Sequence, residues 1–185
     1  MFMSSIDASY WKPIQSGLLE ETDTEFVKKL ANVDDHRIIA ERWKLNSPMS
    51  PHASADIDGV KISLEDFEIP AFSTRHLIVE GAGGIFVPIN WKDMMVDLIA
   101  KLDLPVLLVA RSGLGTLNHS LLTLKILQDR GIHVFALILN GSYHDSNRET
   151  LRHFGDISVY EIGEMEELNK KNLKLAFSQL VSLET

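Results

Sequence analysis

Three almost uninterrupted apolar runs constrain this chain more than any other feature: His76 to Val79 (HLIV), Pro105 to Ala110 (PVLLVA) and Val134 to Leu139 (VFALIL). A strand with one face in water alternates apolar and polar residues, whereas a strand covered on both faces is apolar throughout. The runs therefore predict fully buried strands at the centre of a parallel sheet, with helices above and below. The stretches between them agree. From Asp93 to Leu102, the residues Met94, Met95, Val96, Leu98, Ile99 and Leu102 suit a helix packed on that sheet. Thr116 to Arg130 sets Leu117, Leu121, Leu124 and Leu127 on one stripe, and Gly131 stands where a helix ends in the left-handed conformation. Ser9 to Ile14 predicts another strand, in which Pro13 holds Lys12 extended. A last helix is expected between Leu168 and Leu183. Between Asp35 and Ile69 the prolines break the pattern, predicting a loop-rich excursion with a short helix around Leu64 to Phe67. Alternating strands and helices make an open α/β sheet, whose ligands bind outside the carboxyl ends of the strands.

Composition narrows the function. At roughly 100 to 200 residues per domain, the 185 residues predict a single α/β domain over 1–185. Eighteen basic against twenty-six acidic residues, a net charge of −8, disfavour a basic face for nucleic acid or anionic lipid. The absence of cysteine excludes disulfides, thiolate catalysis and cysteine-ligated zinc or iron–sulfur centres, and fits a cytoplasmic protein. No apolar run approaches the ~20 residues of a membrane span, and Met1 to Tyr10 lacks the pattern of a secretory signal.

The residues after each strand carry the chemistry. His76 to Val79 runs into Glu80-Gly81-Ala82-Gly83-Gly84, an acid at a strand's carboxyl edge followed by glycines that admit a ligand or a positive φ; a tight turn with a solvated glutamate is the plainer alternative. None of the eleven glycines is followed by lysine, so a phosphate loop of the form G-x-x-x-x-G-K-S/T is absent. The second run leads through Arg111-Ser112-Gly113-Leu114-Gly115-Thr116-Leu117-Asn118-His119 into a helix. Its first amides either attract an anion, with Thr116 or Asn118 adding donors, or are simply capped by Thr116. His119, with no second histidine at i+3 or i+4, reads as a packing or supporting residue. The third run ends in Asn140-Gly141, which makes a turn or reads a nucleobase edge. Near the amino end, Lys12-Pro13-Ile14-Gln15-Ser16-Gly17 puts a cation and a hydroxyl at a strand terminus, ahead of Asp23. Ser50-Pro51-His52 reads as a turn.

Taken in order from Tyr10 to Gly163, these segments resemble the dethiobiotin synthetases, ATP-dependent carboxylases that close the ureido ring in biotin synthesis. Lys12 to Gly17, Ser50-Pro51-His52, Val79 to Gly84 with the later Pro88, Leu114 to His119, and Asn140 carry the resemblance. It implies a P-loop NTPase-like parallel sheet with helices on both faces, a homodimer, and Mg2+ with ATP. The implied reaction adds CO2 to an amine of 7,8-diaminononanoate, phosphorylates the carbamate with ATP, and closes the ring with loss of phosphate. Lys12 then matches the catalytic lysine that faces the carbamate, and Asp23 and Glu80 match the metal-holding carboxylates. Asp23, Glu80, Gly81, Ala82, Gly83, Gly84 and Asn140 fall on the nucleotide site. Ser16, Gly115, Thr116, Leu117 and Asn118 fall on the substrate site.

The family places a strand, a G-x-x-x-x-G-K-T loop and a helix before the Lys-Pro motif, whereas only about ten residues precede Lys12 here. Met3 to Ile6 reads like the tail of that helix. The expectation is a chain without its first strand and phosphate loop, incomplete at its amino end and of little activity as it stands. The alternative is a degenerate dimeric relative that binds a nucleotide or carboxylate without turnover. A related amidoligase or partition-type ATPase would share the fold without the Lys12 to Gly17 and Asn118-His119 combination.

Overall fold

A computed structural model describes residues 1–182. They fall into two compact units, 1–102 with 168–174, and 103–167 with the residues from 175 onward.

The first unit contains α1 (Phe2–Ser5), β1 (Ala8–Trp11), β2 (Ile14–Ser16), α2 (Asp23–Ala31), β3 (Ile38–Ile39), β4 (Trp43–Leu45), α3 (Pro51–Asp58), β5 (His76–Val79) and α4 (Met95–Leu102). β1 runs parallel between β3 and β5, and β2 pairs in parallel with β4. All four residues of β1 are buried, and the hydroxyl of Ser9 is satisfied by Thr74 Oγ1 at 2.8 Å. One apolar cluster gathers Ile14, Leu45, Phe67, Ile89 and Leu98; another gathers Met3, Ala8, Tyr10 and Ala31. Each fully buried large side chain contributes about 1.5–3 kcal/mol.

The second unit contains β6 (Val106–Arg111), α5 (Thr116–Asp129), β7 (Val134–Asn140), α6 (Asp145–Gly155) and β8 (Val159–Ile162). These strands are parallel in the order β6-β7-β8, over a core of Leu124, Leu137, Leu139, Leu151 and Val159. The last helix, α7, spans Lys170–Ser182. Leu183, the expected end of that helix, lies outside the described residues. Parallel sheets flanked by helices are the P-loop NTPase-like class read from the sequence.

Several expectations need correction. The Ser9 to Ile14 strand is two strands in different sheets, broken at Lys12-Pro13. Proline has no N–H for a ladder, and its carbonyl instead receives Arg42 N and Trp43 N, each at 3.0 Å. The three apolar runs are not uniformly buried. Ala136 to Leu139 of β7 are, but β5 is half-buried with His76 exposed, and Val109 of β6 is 59% exposed, because β5 and β6 are each an end strand of their own sheet. The Asp35 to Ile69 excursion holds β3, β4 and α3. Pro51 starts α3 rather than breaking a pattern, since the first turn of a helix needs no proline N–H. The Leu64 helix is a single 3-10 turn, Leu64–Asp66. Gly131 takes φ +68°, the left-handed value expected. Among the described residues, no helix is long and apolar enough to cross a membrane.

Candidate functional site

The site in the first unit follows from where β1 stops. Trp11 pairs with Val79, and Glu80 N donates to Trp11 O at 3.0 Å, so Lys12 and Glu80 leave the sheet side by side. The Lys12 side chain is 6% exposed. Its ammonium lies 2.8 Å from Asp23 Oδ2 and 3.1 Å from Glu80 Oε1, and it donates to Gly81 O at 3.3 Å. Three N–H donors thus meet three acceptors, which is what a buried ammonium requires. Tyr10, two residues earlier and therefore on the same side of the strand, donates its hydroxyl to Glu80 Oε2 at 2.8 Å. Burial, reinforced by the charge of Glu80, raises the Tyr10 phenol far above its ordinary value, so it remains a donor throughout the working pH range.

Asp23 is delivered by the start of α2. Thr22 caps that helix by accepting Glu25 N, while the Glu25 carboxylate accepts Thr22 N at 2.8 Å, a reciprocal box that fixes the first turn. These bonds hold the Glu25 carboxyl below the usual carboxylate range. Gln15 fastens the turn to the Lys-Pro segment: its Oε1 accepts Asp23 N at 3.3 Å, and its Nε2 donates to Ser16 O at 3.0 Å.

Lys12, Gln15 and Asp23 border a cavity of about 320 Å³. Of the residues singled out from the sequence, Lys12, Ser16, Asp23, Ala82 and Gly83 line it. The Ser16 hydroxyl is buried there without a hydrogen-bond partner. Gly83 is at φ +83°, and a Cβ on it would meet Val87 Cγ2 at 2.9 Å, so glycine is required for the loop itself. Sequence reasoning missed Tyr10, Gln15, Met49, Ser50 and Pro51 as site residues. Period-two alternation with Lys12 could have pointed to Tyr10, and the Ser-Pro start of a helix to Ser50 and Pro51. Ser50 occupies the cap position of α3 without capping it; its hydroxyl lies 3.0 Å from His52 Nδ1, and His52 stands edge-on to Trp91.

Asp23 and Glu80 are 54% and 46% exposed at their side chains and reach one buried cation from two directions. Two open carboxylates could supply the protein's share of a Mg2+ site, with phosphate and water in the remaining positions. Among the described residues there is no group of three or more His, Asp or Glu side chains able to enclose a metal alone.

Gly84 stays in the first unit beside Gly83, whereas Gly115 to Asn118 and Asn140 belong to the second unit. Gly115 precedes α5 at φ +93°, a conformation that excludes most other residues. Thr116 does not cap: it is buried, and its hydroxyl pairs with Ser120 Oγ at 3.3 Å. First-turn amides, those of Leu117 and Asn118 here, have no acceptor within their own helix. Asn118 is exposed, and so is His119, which removes the packing role expected of that histidine. Asn140 is exposed at the end of β7, in register with Arg111 and Ile162. A wider hollow of about 530 Å³ beside Arg152 and Asp156 contains none of the expected residues.

A family model described as an AAA domain matches residues 1–172. The ATP-dependent dethiobiotin synthetases of Brucella ovis and Brucella canis are each 42% identical over 176 residues, covering 95% of this chain and 82% of theirs. That of Brucella abortus is 41% identical over the same span.

Proposed function

Because the chain belongs to the family of ATP-dependent dethiobiotin synthetases, we propose that it is an ATP-dependent ligase of biotin biosynthesis, converting 7,8-diaminononanoate and CO2 to dethiobiotin with release of ADP and phosphate. The observation that carries the reading is the Lys12 ammonium held between Asp23 and Glu80 beside an unpartnered Ser16 hydroxyl in one cavity. A carbamate and a transferring phosphoryl group both accumulate negative charge. A fixed ammonium is the group that offsets it, and it does so most effectively where water is excluded.

In this reading Asp23 and Glu80 hold Mg2+, which when bound neutralises phosphate charge. Ser16 takes a polar atom of the diamine, and the loop from Gly81 to Gly84 lies along the nucleotide. Gly115 to Asn118 receive the substrate's carboxylate through first-turn amides, and Asn140 reads adenine. A homodimer completes the proposal, with Gly115 to Asn118 serving the partner's site.

The 185 residues contain no G-x-x-x-x-G-K-S/T stretch. Few donors for the ATP phosphates remain, so turnover by these residues alone is expected to be slow. The test is a single-turnover assay of residues 1–185 with Mg-ATP, diaminononanoate and labelled bicarbonate, with dethiobiotin read by mass spectrometry. Slow ATP-dependent product that disappears in Lys12→Ala is the expected result. Failure to form product together with failure to bind diaminononanoate by calorimetry overturns the ligase reading. Binding without product selects the second reading, a non-catalytic binder of a nucleotide or carboxylate. Fast turnover refutes the need for a phosphate loop.

A further inference from the structure

Tyr10 does two things with one side chain. Its ring lies in the cluster with Ala8 and Ala31, against which Val27 and Ile78 pack, and the residue is 2% exposed. Ala31 and Val27 stand on α2, the helix whose first residue is Asp23. Its hydroxyl leaves that cluster and donates to Glu80 Oε2 at 2.8 Å. One rigid ring therefore shares a core with the helix that presents the first carboxylate and hydrogen-bonds the second directly. Close-packed side chains of this kind do not reorient freely, so the hydroxyl position is set by the core.

The two oxygens of Glu80 are consequently not equivalent. Oε2 is tied to a neutral donor embedded in the core, whereas Oε1 faces the Lys12 ammonium at 3.1 Å. A ligating carboxylate whose other oxygen is anchored in this way points in one direction before the ion arrives, and such outer partners commonly govern metal affinity. We propose that Tyr10 is a positioning residue for the cation site: it fixes Glu80 through Oε2, sets the spacing between Glu80 and Asp23, and leaves Oε1 as the oxygen offered to a divalent ion. The proposal rests on the reading that Asp23 and Glu80 hold that ion.

Tyr10→Phe keeps the ring and removes only the hydroxyl. Mn2+ is the probe, titrated into residues 1–185 and followed by the electron paramagnetic resonance signal of free ion. Tyr10→Phe is expected to weaken Mn2+ binding about tenfold with a melting temperature close to that of the unaltered protein. Ile78→Val loosens the same cluster without touching the hydrogen bond, and it is expected to lower the melting temperature while leaving Mn2+ affinity unchanged. If Ile78→Val weakens Mn2+ as much as Tyr10→Phe, packing alone is responsible and the proposal fails. If Glu80→Gln abolishes binding but Tyr10→Phe leaves it intact, the cation site stands and the role of Tyr10 is refuted. If Glu80→Gln binds Mn2+ like the unaltered chain, the underlying site reading falls and the proposal with it.

Discussion

The Lys12 ammonium stands 2.8 Å from the Asp23 carboxylate, the lysine buried and the aspartate half in water. The same nitrogen is 3.1 Å from Glu80, so one side chain is the counter-ion for two acids that would otherwise repel each other. Lys12→Met keeps the aliphatic stem and removes the charge. Breaking a fully buried pair costs several kcal/mol, but solvent screens both acids here, so the expected loss is about 1–2 kcal/mol. Millimolar Mg2+ should restore most of it in Lys12→Met and raise the unaltered protein much less, since there the ammonium already occupies the acids. Thermal melts with and without MgCl2 decide this, and equal shifts in both proteins would contradict it.

The start of α2 carries a pH dependence of known sign. Glu25 titrates below its ordinary range, chiefly because its carboxylate accepts the Thr22 backbone N–H and then the Thr22 hydroxyl. A depressed folded-state value contributes stability that is present above the ordinary carboxylate range and is lost as pH falls through the lowered value. Urea unfolding across an acid series should show that loss in the unaltered protein and a flatter profile in Glu25→Gln. Thr22→Ala should cost about 1 kcal/mol at neutral pH by removing the cap itself.

Much of this was legible in the residues, for identifiable reasons. The apolar runs marked β5, β6 and β7 because each is continuously apolar, although only Ala136 to Leu139 of β7 are buried throughout. They could not reveal which strands end a sheet, since pairing partners are set by tertiary contacts. β1 was harder to read because Ser9 and Tyr10 are polar by type, and the hydroxyls that make them tolerable when buried find their partners at Thr74 and Glu80, far along the chain. Lys12, Asp23 and Glu80 were readable as charges at strand and helix ends. Their convergence on one point, and the part taken by Gln15, depends on a break at Pro13 that hands the chain from one sheet to another.

The glycines after Glu80 divide into two kinds. Gly83 has φ +83° and Val87 Cγ2 within 2.9 Å of where a Cβ would be, whereas Gly84 has an ordinary φ and open space. Gly83→Ala is therefore expected to destabilise by about 1–2 kcal/mol, and Gly84→Ala to leave the melting temperature nearly unchanged. If the loop also lies along the nucleotide, Gly84→Ala raises the KM for ATP without loss of stability. A stable Gly83→Ala protein would show that the loop does not need its left-handed residue.

Ser16 permits a prediction in which stability and binding move in opposite directions. Its hydroxyl is buried, without a partner, in the cavity that Lys12 and Asp23 also line. A buried hydroxyl left unpaired costs about 1–3 kcal/mol of desolvation, a penalty that a ligand atom would relieve. Ser16→Ala removes the unpaired group, so the ligand-free protein should be as stable as before or more so, in contrast to the loss that truncation of a satisfied side chain causes. The same change removes a hydrogen bond to the diamine and should weaken diaminononanoate binding by roughly tenfold, about 1.4 kcal/mol at room temperature. Melting temperature and calorimetric affinity, measured on the same preparation, test the two halves together. Lower stability with unchanged affinity would make Ser16 a structural residue and remove it from the substrate site.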